Sequence, residues 1–228
     1  MTRQSLIIDA DDTLWENNIY FERAFEEFVE FLAHSSLSPQ EVRDVLDDIE
    51  RANARIHGYG SMNFGRNLAE TYRHLVEREV REDDVRTVMG FAERILECPM
   101  EVIPGVPETL EYLAERHELT LFTKGNPDEQ KLKIDRSGLS GFFSHTAIVK
   151  EKDAAAYHAL TTSRSMDPAQ TWMVGNSPKS DINPALEAGL NAVFVPHAYT
   201  WVLEKQDLVP GRGRLITVSE FSELKTLF

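Results

Sequence analysis

A single cysteine, Cys98, is all the chain carries in 228 residues. No internal disulfide can form, which fits a reducing compartment. Its neighbours Glu97 and Pro99 are neither basic nor histidine, so Cys98 reads as a packing residue rather than a reactive thiol. No apolar stretch approaches the ~20 residues that span a bilayer. The opening Met-Thr-Arg-Gln holds no apolar signal segment, and the expectation is a cytoplasmic protein. Positive charge is scarce as well: 24 Lys and Arg stand against 38 Asp and Glu, a net charge of -14. A surface this acidic is repelled by nucleic acid and by anionic lipid, so neither is an expected partner. The seven histidines form neither H-x-H nor H-E-x-x-H, and they read as structural or exposed.

What is present is an ordinary globular balance, 42% hydrophobic and 27% charged. The length suits one large domain, or a core with a smaller insert. Five runs rich in Val, Ile, Leu and Phe read as buried strands: Ser5–Ile8, Leu119–Phe122, Thr146–Val149, Thr171–Val174 and Ala192–Val195. None alternates with polar residues, as befits parallel strands covered on both faces. Helical patterns over Pro127–Ser137, Asp153–Ser163 and Pro178–Ala188 separate the later runs. This alternation predicts an α/β fold, a Rossmann-like parallel sheet with helices on both faces.

The stretch from Ile19 to Leu96 differs. It is strongly helical, with Phe21, Phe25, Phe28, Phe31 and Leu32 on one stripe, a helix start at Pro39 after Ser38, and a glycine-punctuated break at "HGYGSMNFG". It predicts about four helices inserted after the first strand. The expected division is a core of residues 1–15 and 103–228 and a small helical cap of residues 16–102.

The chemistry-bearing residues fall at predicted strand ends, where open α/β sheets bind ligands. "LIIDADDTL" runs from a strand into Asp9, Asp11 and Asp12, with Asp9 and Asp11 on one face of extended backbone. A calcium loop is excluded, because Leu14 and Tyr20 stand where such a loop needs glycine and glutamate. "LTLFTKGNPDEQ" ends a strand at Thr123, followed by Lys124, Gly125 and Asn126 before a helix, a place where hydroxyl and amides can hold a phosphate. Lys150 and Lys152 sit at a third strand end, and Gly175, Asn176 and Ser177 at a fourth, with Asp181 in the next helical turn.

In this order the motifs resemble the haloacid dehalogenase superfamily of phosphohydrolases. The matches are Asp9-Ala10-Asp11-Asp12-Thr13, then Thr123, then Lys152 with Lys150 as the alternative, then Gly175-Asn176-Ser177-Pro178-Lys179-Ser180-Asp181. The helical insert resembles that superfamily's C1-type cap. Two positions depart from the pattern: Asn176 stands where the family usually has Asp, and Asp12 where it usually has Gly.

The resemblance implies a Mg²⁺-dependent phosphatase acting on a small phosphorylated metabolite. Asp9 would be the nucleophile, forming an aspartyl-phosphate, and Asp11 the general acid and base. Thr123, Lys124, Gly125, Asn126 and Lys152 would hold the phosphoryl group. Asp9 and Asp181 would hold the metal by side chain, Asp11 by its carbonyl, and Asn176 through water. The glycine loop Gly58–Gly60, with Asn63 and Phe64, would face the substrate, while Arg212 and Arg214 read as a solvated basic loop. The dehalogenase activity is disfavoured, since the family's dehalogenases lack the carboxylate found here at Asp11. The alternatives are a phosphomutase, a phospho-accepting module of the receiver type, and a binding protein on a weakened phosphatase scaffold.

Overall fold

The computed structural model describes residues 3–228. Strands β1 (Ser5–Ile8), β2 (Glu118–Lys124), β3 (His145–Val149), β4 (Thr171–Gly175), β5 (Asn191–Phe194) and β6 (Leu215–Thr217) form one parallel sheet in the order β3-β2-β1-β4-β5-β6. The helices are α1 (Asn18–Leu32), α2 (Pro39–His57), α3 (Ser61–Leu75), α4 (Glu82–Glu93), α5 (Val106–Ala114), α6 (Pro127–Ser137), α7 (Ala154–Ser163), α8 (Asn183–Glu187) and α9 (Leu224–Leu227). Among them no helix is long and apolar enough to cross a membrane.

The described chain forms two compact units. One holds the residues up to Glu16 together with Met100–Phe228, the other Asn17–Pro99. In the first, β1 lies between β2 and β4, with Ile7 in register with Thr120 on one side and Met173 on the other. Successive β1 residues enter opposite layers. Leu6 and Ile8 pack with Leu121, Val174 and Leu110, whereas Ile7 packs with Phe122, Met173 and Tyr157. Burial on both faces is why these strands carry unbroken apolar runs. The chain leaves β1 for β2 and β3 on one side and takes β4, β5 and β6 on the other. The carboxyl end of β1 is therefore the switch point of the sheet, where side chains of neighbouring strands converge.

The second unit buries one stripe of each of its helices around Phe28, Leu46, Leu68, Tyr72 and Val88. Ser38 caps α2 with a reciprocal bond from Glu41, as the Ser-Pro start predicts. Gly65 lets α3 approach α4, since a side chain there would stand 3.2 Å from the Cβ of Ala92. Phe64 corrects its expected role: it is buried in this unit's own core, 5.1 Å from the Phe21 ring. Asn63 is likewise occupied, donating to the carbonyl of His57 at 2.6 Å.

Three elements differ from expectation. β6 is a sixth strand of only three residues, two of them exposed, too short and too wet to register as an apolar run. It is drawn in by its neighbours: Arg214 donates from its amide to Asn191 Oδ1 at 3.0 Å and stacks its guanidinium 4.7 Å from the Trp172 ring. Arg214 is thus a packing residue as well as a surface charge. Helix α5 fills a stretch for which the sequence predicts no element. The helix expected from Pro178 begins as a widened π-type turn over Pro178–Ile182 before α8.

Ile7→Ala removes a side chain fully buried between two strands. It is expected to lower the unfolding free energy by about 2–5 kcal/mol while the helical CD signal persists, as read by urea denaturation.

Candidate active site

Asp9 continues β1, its amide donating to the carbonyl of Val174 at 2.9 Å, so the neighbouring strand fixes its backbone. Its two oxygens have different partners. Oδ2 accepts the Thr13 hydroxyl at 2.9 Å and Oδ1 accepts Lys152 Nζ at 2.5 Å. The same ammonium donates to Asp181 Oδ1 at 2.8 Å. Residues at positions 9, 152 and 181 are therefore brought to one point at the switch of the sheet. Lys150 is exposed, and of the two lysines it is Lys152 that reaches these carboxylates. Tyr157 buttresses this arrangement, donating to the carbonyl of Ser180 at 2.9 Å.

The electrostatics are uneven. Asp181 is 1% exposed. Burial first, and then the charge of Asp9, push its carboxyl up to about 7, with Lys152 and the Ser177 amide opposing. Burial works against the charge on Lys152, yet Asp181 and Asp9 outweigh it and raise its affinity for the proton. Two carboxylates thus share one ammonium, leaving the ionised cluster one positive charge short. Hard oxygen donors around a buried negative excess fit a small divalent cation. Gly175 completes the cradle, since a Cβ there would stand 2.3 Å from Asp181 Oδ2.

Asp11 lies on the same loop in a different setting. It accepts Lys133 Nζ on both oxygens, at 2.7 and 2.6 Å, Gln130 Nε2 at 2.9 Å and Trp15 Nε1 at 2.8 Å. Burial alone would raise its carboxyl, but the Lys133 charge and these hydrogen bonds outweigh that and hold it below the ordinary range. Asp12 adopts φ 58, a left-handed conformation that favours glycine and that Asp tolerates, so one backbone demand is met by either residue.

The expected phosphate loop is partly committed elsewhere. The Gly125 amide donates to the carbonyl of Val149 at 3.1 Å. Asn126 caps α6, its Oδ1 accepting the amides of Asp128 and Glu129 at 3.0 and 3.2 Å. The Lys124 ammonium reaches Ser180 Oγ at 2.8 Å and Glu204 Oε1 at 2.6 Å. Thr123 is buried, its hydroxyl 3.3 Å from Gln130 Oε1. Asn176 is also buried, donating to Thr200 Oγ1 at 3.0 Å and lying 3.4 Å from the Thr13 hydroxyl.

Three participants escaped the sequence reading: Gln130, Lys133 and Glu204. The first two sit three apart in a helix that follows a site strand, a spacing that puts them on one face. Glu204 lies in an irregular segment that gives no periodic signal. A second group, Asp12, Glu16 and His197, offers atoms within 4.8 Å of one another, a spacing that could hold a metal ion. His197 Nε2 lies 3.3 Å from Glu16 and its Nδ1 3.8 Å from Asp12, so the imidazole stands among the carboxylates.

Comparison with known proteins agrees with this geometry. The family model of haloacid dehalogenase-like hydrolases matches residues 4–189. A phosphoserine phosphatase from Thermus thermophilus is 32% identical over 101 residues, a match covering 40% of this chain and 41% of that protein. The matched segment thus spans about two fifths of that relative's length. A haloacid dehalogenase-like family hydrolase from Xanthomonas campestris superposes with a TM-score of 0.86 at 30% identity, over 99% of this chain and 90% of that one. An L-2-haloacid dehalogenase from Xanthobacter autotrophicus shares the fold with a TM-score of 0.66 at 16% identity, over 99% and 98% of the two chains.

Gly175→Ala is expected to leave a folded protein in which Asp181 is displaced. Divalent-cation affinity, read by calorimetry, should fall at least about tenfold, as when a group that orients a metal ligand is lost.

Proposed function

The chain belongs to the haloacid dehalogenase-like hydrolases, and on that premise we propose that it is a Mg²⁺-dependent phosphatase of a small phosphomonoester. The observation that carries the reading is the convergence of Asp9, Lys152 and Asp181 with a second carboxylate, Asp11, two residues after the first. The phosphatase relative supports a phosphorylated small-molecule substrate over a haloacid. Asp11 favours the same choice, because expelling an alkoxide calls for a proton donor, whereas a halide leaves without one.

Asp9 is the nucleophile. One of its oxygens attacks phosphorus and the ester oxygen leaves, giving an aspartyl-phosphate. Lys152 and Thr13 hold the Asp9 carboxylate so that it meets the phosphoryl group in one orientation. Lys152 also offsets charge on the phosphoryl oxygens, and Thr123 with the Lys124 amide completes their cradle. Asp11, once protonated, gives its proton to the departing oxygen. As a carboxylate it then takes one from the water that hydrolyses the acyl-phosphate. Asp9 and Asp181 by side chain, and Asp11 by carbonyl, would hold the Mg²⁺, which supplies the positive charge that lets an anion approach a phosphate dianion. Asn176 would orient water at that site while adding no charge. The helical unit of Asn17–Pro99 is the part of the chain that resembles the family's cap.

Asp9→Asn is expected to abolish phosphate release from a generic aryl phosphate while the melting temperature stays close to that of the parent. Substantial remaining turnover would overturn the reading.

Metal removal supplies a second test. An unfolded Asp181 ionises near 3.8, the folded one near 7, so between these values the folded state holds the extra proton. This group's contribution to stability therefore falls as pH rises through that window. Mg²⁺ binds the ionised form, so its stabilisation, read as the melting temperature with Mg²⁺ minus that with EDTA, should be larger at pH 8 than at pH 5.5.

A further inference from the structure

The turn after β4 carries Asp181, and Ser177 organises it. The Ser177 amide donates to Asp181 Oδ2 at 2.9 Å, and the Ser177 hydroxyl accepts the Ser180 amide at 2.9 Å, so one residue sets both the turn and the carboxylate within it. A hydroxyl that accepts in this way still has its own proton to give. That proton goes to Oε2 of Glu204, 27 positions further along, at 2.7 Å. The other oxygen of Glu204 accepts the Lys124 ammonium at 2.6 Å, and Lys124 also reaches Ser180 Oγ at 2.8 Å. Glu204 is 7% exposed. Its own segment is tied to the same region on either side: Lys179 donates to the carbonyl of Leu203 at 2.9 Å, and Asn183 to that of Asp207 at 2.9 Å. An apolar side chain would fill this space without taking a charge out of water, so packing alone does not account for a carboxylate with each oxygen on a different loop.

We propose that Glu204 is a positioning residue for the metal site: through Ser177 it holds Asp181 where that carboxylate meets the divalent cation, and through Lys124 it sets the phosphate loop against the same point. This rests on the reading of Asp181 and of the Lys124 amide given above. Asp181 is oriented by Lys152 on Oδ1 and by the Ser177 amide on Oδ2. A turn that shifts carries that amide with it, and a small cation with octahedral demands tolerates little error in where its ligands lie. Residues standing behind metal ligands are worth on the order of 10–100-fold in affinity for this reason.

Glu204→Gln keeps the shape but leaves a single acceptor oxygen, which the Lys124 ammonium claims. Its amide then faces a Ser177 hydroxyl that has lost its acceptor. Mg²⁺ affinity, read by calorimetry well below the melting temperature, is expected to fall about tenfold, and Ser177→Ala should lower it by a similar factor. Because Glu204 acts through Ser177, the double variant should bind no more weakly than the weaker of the two single ones. Loss of a negative charge alone would act independently of Ser177, and the two factors would multiply. Glu204→Asp separates the same alternatives: it keeps the charge but is one methylene too short to span both loops, so its affinity should fall as well. Should Glu204→Gln fail to fold, this variant is read in its place. Parent-like affinity in the Glu204 variants, or factors that multiply in the double variant, would refute the role of Glu204 while leaving the metal site standing. If the parent protein itself takes up no Mg²⁺, the reading of Asp181 fails and this proposal falls with it.

Discussion

The ammonium of Lys152, shared between Asp9 and Asp181, holds the rest of the site in place. It is a bond between residues 143 and 29 positions apart, drawn from the ends of three different strands. Removing two carboxylates from water costs several kcal/mol each in a low-dielectric interior, and a single cation offsets only part of that cost. A buried site short of one positive charge is one that a divalent cation would complete. The sheet makes this tolerable, because strands buried on both faces are rigid enough to keep like charges close together.

Around this centre the two carboxylates of the first motif have been given opposite surroundings. Asp9 shares its cation with a rival anion, while Asp11 accepts hydrogen bonds from Lys133, Gln130 and Trp15. Two residues apart in sequence, they differ through what the neighbouring helices and strands present to them. Separating the environments of paired carboxylates in this way is how a fold assigns them distinct tasks.

Much of this was legible in the chain. Parallel strands covered on both faces must be apolar throughout, so five of the six could be located from composition, and their carboxyl ends pointed to Asp9, Thr123, Lys152 and Asp181. β6 was not legible because an edge strand of three residues buries too little to leave a pattern. Helix α6 was found, but its polar face was not understood: Gln130 and Lys133 look like any solvated pair until the helix is rotated against the sheet. Asn126 illustrates the converse. A residue placed among the phosphate ligands by its position after Thr123 is occupied in ending its own helix's unsatisfied amides. Local sequence identifies which groups are near a strand end; only packing decides which of them are left available.

Glu204 is buried, and its carboxylate accepts Lys124 at 2.6 Å and Ser177 Oγ at 2.7 Å, so it fastens the loop after β2 to the loop after β4. Burial opposes its charge, but Lys124 and the hydroxyls of Ser180 and Ser177 prevail and keep it ionised. The stretch that supplies it lies outside residues 4–189, the span that the family model matches. The border of a family model is therefore not the border of the working unit: a chain trimmed at residue 189 would keep every signature motif and lose the clasp between the β2 and β4 loops.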